Sequence, residues 1–179
     1  MPRYVAFLRA INVGGHVVKM SALKVLCESI SLANVSTFIA SGNVIFDSPK
    51  PRTQVETAIE KKLQSALGYT VSTMARSGDE LAAIVEHVGR RGLDRDVRLY
   101  VGLLKDAPPA PIIKTVAAMS NDTDILSVSG SEVYWRCRTS FSESTIVGSR
   151  LEKALGRPVT FRSVTTIRRL TARLSKTQP

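Results

Sequence analysis

Apolar residues in this chain fall into short runs and stripes that alternate between the two-residue period of a strand and the three-to-four-residue period of a helix. Residues 4–8 form a near-continuous apolar run of strand length that stops at Arg9. After a polar stretch containing two glycines, Leu23, Leu26, Cys27 and Ile30 recur at helical spacing, which predicts a helix with one apolar face and Ser21 as its N-cap. Two β-rich runs, 35–40 and 44–46, flank Ser41, Gly42 and Asn43, and the glycine and asparagine suit the positive φ of a tight hairpin turn. Thr53 and Glu56 stand at capping-box spacing before a stripe of Val55, Ile59, Leu63 and Ala66 that stops at Gly68. A strand over 70–75 is expected next, and Ser77 with Glu80 repeats the capping-box spacing ahead of Leu81, Ile84, Val85 and Val88. The first half thus reads strand, helix, strand, strand, helix, strand, helix.

A polar stretch over 89–96 reads as a linker, and beyond it the same order starts again. A strand over 99–104 is followed by a helix with Ile112, Ile113, Val116 and Ala117, then by strands over 125–128 and 133–137 around another Ser-Gly turn. A helix ending at Gly156, a strand around 159–162 and a last helix with Ile167, Leu170 and Leu174 complete the series. Short identities accompany it: Tyr4-Val5 with Tyr100-Val101, Ser41-Gly42 with Ser129-Gly130, and Arg76-Ser77 with Arg162-Ser163. Strand-helix-strand-strand-helix-strand is the split βαβ arrangement. The expected fold is therefore α+β, built from duplicated ferredoxin-like halves that each carry an extra helix, over residues 1–92 and 93–179. Tyr100 lies 96 residues beyond Tyr4, whereas Gly130 lies only 88 beyond Gly42, so the first half holds eight more residues between these landmarks. Their natural place is the loop from Arg9 to Ser21.

Composition narrows the function classes. Apolar residues at 44% and charged residues at 22% are ordinary for a soluble globular chain. No apolar run approaches the ~20 residues that span a bilayer, and the chain opens without a signal-peptide pattern, so no membrane association and a cytoplasmic location are expected. Cys27 and Cys137, with His16 and His87, show no ligand spacing, so neither a metal nor a cofactor is expected. Cys27 falls on an apolar stripe, as a small buried hydrophobe would. The net charge of +10 fixes the sign of a partner rather than its identity, and a solvated basic face accounts for it equally well.

The topology directs attention to one end of the first sheet. In the ferredoxin-like order the first strand lies beside the third, so the chain leaves the first strand at the end where the second turns into the third. The Arg9 to Ser21 loop, the helix it feeds and the Ser41-Gly42-Asn43 turn should share one rim. Gly14 and Gly15 can turn backbone N–H groups toward a ligand, the helix start adds a partial positive charge, and Arg9 and Lys19 add full ones. Asn12, Ser41 and Asn43 offer directional hydrogen bonds. Arg9, Asn12, Gly14, Gly15, Lys19, Ser41, Gly42 and Asn43 are accordingly the candidate ligand-binding residues, for a small phosphate- or carboxylate-bearing anion. The same glycines would serve equally as plain turn residues, and neither GxGxxG nor a P-loop is present. His16 is the loop side chain whose ordinary pKa lies near neutrality and is the candidate acid or base; a loop histidine without a role is the alternative. Whether the protein is an enzyme stays open.

The stretches 7–15, Lys19-Met20 and 37–46 closely resemble the signature of a widespread bacterial family carried as a domain of unknown function. The resemblance implies a duplicated α+β fold and a marked loop, and no reaction. This chain has Ala10, Phe38 and Ala40 where that family typically has glycine, tyrosine and glutamine. Two other readings remain. Residues 99–104 resemble the first-strand motif of an RNA-recognition domain, and Tyr100, Tyr134 and Trp135 beside Arg136 and Arg138 would be the single-strand RNA contacts, although the Gly-aromatic-Gly-Phe pattern of the second motif is absent. An assembly or regulatory role would instead use the basic last helix, with Arg168, Arg169 and Arg173, against an acidic partner.

Overall fold

β1 (Arg3–Leu8) is apolar on both faces because both are covered: Tyr4, Ala6 and Leu8 join a core beneath two helices, and Val5 and Phe7 are fully buried on the reverse. The computed structural model describes residues 1–12, 15, 17–89, 97–139, 144, 146 and 148–175. They form two four-stranded antiparallel sheets and six helices in the duplicated ferredoxin-like arrangement.

In the first sheet the order is β2 (Ala33–Thr37), β3 (Asn43–Asp47), β1, β4 (Thr73–Ser77). α1 (Met20–Glu28) buries Leu23 and Cys27, and α2 (Arg52–Leu67) buries Val55, Ile59 and Leu63, all against the Tyr4, Ala6 and Leu8 face. α1 begins two residues earlier than expected: Lys19 is its N-cap and no side chain caps it, so Ser21 does not. α2 is likewise entered through Pro51 without a capping side chain. The expected Thr53–Glu56 box is absent because Glu56 turns inward, 2% exposed, where its Oε1 accepts the Ala75 N–H at 2.8 Å. Glu60 accepts the Thr73 N–H at the same distance. β4 is the edge strand, and these two carboxylates satisfy alternate N–H groups that no neighbouring strand reaches. Gly68 ends α2 in the left-handed conformation, φ 81°, as read from the sequence. The Ser77–Glu80 capping box also forms: the Ser77 N–H donates to Glu80 Oε2 at 2.7 Å and the Glu80 N–H to Ser77 Oγ at 3.2 Å, opening α3 (Gly78–Val88).

The second sheet has the order β6 (Asp124–Ser129), β7 (Glu132–Cys137), β5 (Arg98–Leu103), β8 (Thr160–Ser163). α4 (Ala110–Ala117), α5 (Gly148–Leu155) and α6 (Val164–Ser175) complete the series. Register establishes the equivalence: Tyr4 faces Phe46 and Ser77, and Tyr100 faces Trp135 and Ser163, while Val5 faces Arg76 and Val101 faces Arg162. One identity shifts. The Leu8 N–H donates to the Gly42 carbonyl and the Leu104 N–H to that of Ser131, so Gly42 corresponds to Ser131 and not to Gly130. Residues 9–19 link β1 to α1 where residues 105–109 do the equivalent work, so most of the excess lies in this loop.

By contact density the compact units are Met1–Ala83 with Leu170–Pro179, and Ile84–Arg169. The chain thus changes unit within α3 and again within α6. The boundary expected at 92/93 lies outside the described residues.

Candidate functional site

The loop after β1 is pinned from below and from the side. Ile11 and Val18 are buried in the core, and between them the Asn12 carboxamide forms a bridge: Nδ2 donates to the Ala40 carbonyl at 3.2 Å and Oδ1 accepts the Val18 N–H at 2.6 Å. The Arg9 N–H donates to the Ser72 carbonyl at 2.9 Å. The structure therefore brings the loop and the β2–β3 connection together, as the topology required. That connection is longer than a tight hairpin, occupying residues 38–42 between strands that end at Thr37 and resume at Asn43. Asn43 lies inside β3, fully buried, and its amide donates to the Phe38 carbonyl and to Ser41 Oγ, holding the turn. Gly42 is a packing requirement: at φ 73° a Cβ would stand 2.2 Å from Ile11 Cγ2 and 3.1 Å from Leu8 Cβ.

Left-handed residues gather here. Ala10 (φ 57°), Asn12 (57°), Gly15 (90°), Ile39 (52°) and Gly42 (73°) all belong to the two segments. Ala10 stands where the resemblance noted above implies a glycine, and its φ of 57° is a conformation that glycine adopts without strain. Electrostatically the rim is one-signed. Neither 9–19 nor 38–42 contains an aspartate or glutamate, exposed Lys19 is the N-cap of α1, and the first turn of α1 has no acidic residue. Arg9 is half-buried at the start of the loop. The Arg173 guanidinium approaches from α6, 5.8 Å from the centre of the Phe38 ring. Gly14 and His16 lie outside the described residues.

A feature that sequence reasoning missed lies at the opposite end of the same sheet. A cavity of about 570 Å³ is lined by Arg3, Asn34, Asp47, Ser77, Gly78 and Asp79, among others. Arg3 grips Asp47 with Nε and Nη2 at 2.6 and 2.9 Å, and Asn34 Nδ2 donates to the same carboxylate at 2.7 Å. The Arg3 hydrogen bond holds the Asp47 carboxyl below its ordinary range. Arg3 and Asp47 are opposed in the β1–β3 register, a pairing that becomes visible only once that register is fixed.

The aromatic residues considered for RNA are packed differently from a binding platform. Trp135 is fully buried, edge-on to Phe161 with ring centres 5.6 Å apart and 6.1 Å from Tyr100, and its Nε1 donates to buried Asp124 at 2.7 Å. Tyr134 is buried against the His87 ring at 4.3 Å. Tyr100 is half-buried against the same core, Arg136 is half-buried and Arg138 is exposed. Neither Tyr134 nor Trp135 has an open ring face on which a base could stack. In α6, Arg168 donates to the Gly89 carbonyl and Arg169 is exposed. Cys27 and Cys137 are both buried thiols, and burial, with Glu28 beside it, pushes Cys27 up to about 12. Among the described residues no three His, Cys, Asp or Glu side chains are placed to hold a metal ion, and no helix is long and apolar enough to cross a membrane.

Comparison with other proteins places the chain in a family. The model of DUF1697, described as a protein of unknown function, matches residues 1–134. The chain is similar to a solved structure described as a conserved bacterial protein from Streptococcus pneumoniae, over 98% of this chain and 99% of that one, at 23% identity and a TM-score of 0.77. That likeness is one of fold. No curated protein matches.

Proposed function

Since the chain belongs to DUF1697, a family of unknown function, we propose from its own geometry that it binds a small phosphate- or carboxylate-bearing molecule at the rim formed by the loop after β1 and the β2–β3 connection. The observation that carries this reading is the Asn12 bridge, which ties residues 12 and 18 to Ala40 of the β2–β3 connection and directly precedes the uncapped start of α1. A loop needing only to close the gap from strand to helix has a shorter solution in the same protein, residues 105–109.

An anion at this rim would meet Lys19, the partial positive charge of the α1 N-terminus and no opposing carboxylate from either segment. Ser41, exposed on the adjoining connection, adds a hydroxyl within the same rim. These groups orient and neutralise a ligand; they do not by themselves specify a reaction.

The test is a thermal-shift comparison of sugar phosphates, nucleotides and carboxylated metabolites on the full chain and on Lys19→Gln. Lys19 is exposed, so this variant changes charge without touching the core. A shift produced by anions and reduced in Lys19→Gln is the expected result. Shifts that are equal in both proteins would contradict the reading.

A further inference from the structure

We infer that the ligand of this rim is an amphipathic anion, a single phosphate or carboxylate group carried on an apolar body. The inference rests on the preceding reading of the rim as an anion site and specifies what is attached to the anion.

The rim is not uniformly polar. Val17 is 84% exposed and Ile39 44% exposed, and both are among the few large apolar side chains that the described residues leave in solvent. The Asn12 bridge brings their segments together: Val17 precedes Val18, whose N–H bonds Asn12 Oδ1, and Ile39 precedes Ala40, whose carbonyl accepts from Asn12 Nδ2. Ala10 and Ala40 are exposed on the same two segments. Exposed apolar residues therefore stand on both segments that the bridge joins, with Lys19 two residues beyond Val17.

A scattered exposed valine or isoleucine needs no explanation. Ile39 differs because its φ of 52° lies where β-branched residues are rare and where glycine or asparagine would sit without strain. A connection that needed only to turn would be better served by either of them. Ile39 instead holds a strained backbone and leaves nearly half of its surface in water, a surface that gains free energy when something apolar covers it. A fully hydrated anion would leave Val17 and Ile39 as exposed as they are now. An alkyl chain or ring attached to the anion would cover them, at about two- to fourfold in affinity for each methylene buried. We assign the ligand as a free small molecule and not a bilayer lipid, because a pair of exposed aliphatic side chains offers little insertion into a membrane.

The experiment titrates the full chain with inorganic phosphate and with methyl, butyl and hexyl phosphate below their aggregation concentrations, and in parallel with vesicles of phosphatidylcholine and phosphatidylglycerol. Val17→Ser and Ile39→Asn are compared with the parent, and denaturant unfolding verifies that Ile39→Asn, which relieves the strain, is at least as stable. The expected result is an affinity that climbs from methyl to hexyl phosphate in the parent, a slope that flattens in both variants, and unchanged affinity for inorganic phosphate. Equal binding of all four phosphates would overturn the amphipathic assignment while leaving the anion site standing. Binding of none would overturn both. Binding to vesicles without binding to hexyl phosphate would overturn the assignment to a free molecule.

Discussion

Asn12 and Ala40 are joined by a hydrogen bond from Nδ2 to the carbonyl oxygen at 3.2 Å, across a sequence separation of 28 residues. With Val18 donating to Oδ1, one carboxamide holds two loops in a fixed relation. Asn12→Ala removes both bonds and leaves alanine at φ 57°, so a loss of about 1–3 kcal/mol is expected in denaturant unfolding. Asn12→Gly removes the bonds but suits the backbone, and should cost less than Asn12→Ala. Equal costs would show that the conformation of residue 12 contributes nothing.

Gly42 should tolerate no side chain. In Gly42→Ala the Cβ collides with Ile11 and crowds Leu8 at positive φ, and a destabilisation of about 1–3 kcal/mol is expected. Gly15→Ala meets open space, so only the backbone cost of roughly 1 kcal/mol applies there. Thermal melts of the two variants separate packing from conformation, and a Gly15→Ala effect equal to that of Gly42→Ala would contradict the packing account.

Glu56 acts as a substitute strand edge. Glu56→Ala leaves the buried Ala75 N–H without its acceptor and is expected to cost about 1–3 kcal/mol, more than an exposed helix position would. Glu56→Gln keeps an acceptor oxygen and should recover part of that loss. Hydrogen exchange at the Ala75 amide is the direct readout, with faster exchange in Glu56→Ala and intermediate exchange in Glu56→Gln.

Acid stability should depend on Arg3. The Arg3 hydrogen bond holds the folded-state Asp47 carboxyl below the ~3.9 of an unfolded aspartate. The unfolded chain therefore binds the proton first as pH falls. The resulting stabilisation is present above the unfolded value and disappears as pH drops through the folded one. Arg3→Gln should move the acid-unfolding midpoint, followed by far-UV circular dichroism, to higher pH. An unchanged acid midpoint would contradict the pairing.

Much of this architecture was legible in the apolar pattern. The seven-element order, repeated, fixes a ferredoxin-like topology, and that topology alone places the loop at 9–21 beside the turn at 41–43. Side-chain roles that depend on tertiary position were not legible. Thr53 and Glu56 have capping-box spacing, yet Glu56 faces an edge strand that needs its oxygen more than the helix end does. Gly42 and Gly130 look equivalent in sequence, and only the register shows that Gly42 matches Ser131. Tyr134 and Trp135 sit on strands as RNA-binding aromatics would, and burial on both faces of their sheet, invisible in one sequence, closes them off. The cavity at Arg3 and Asp47 was missed for a related reason: its lining comes from strand ends and helix ends whose meeting depends on the whole sheet.

The claim that the rim of residues 9–19 and 38–42 is the ligand site is tested most directly by backbone amide chemical-shift mapping during titration with butyl phosphate. The account predicts saturable shifts at Lys19, Met20, Ser21 and Ser41, with Arg3, Asn34 and Asp79 unmoved. Shifts centred on Arg3, Asn34 and Asp79 would place binding in the cavity at the other end of the sheet, and that result, or the absence of any saturable shift, would contradict the account.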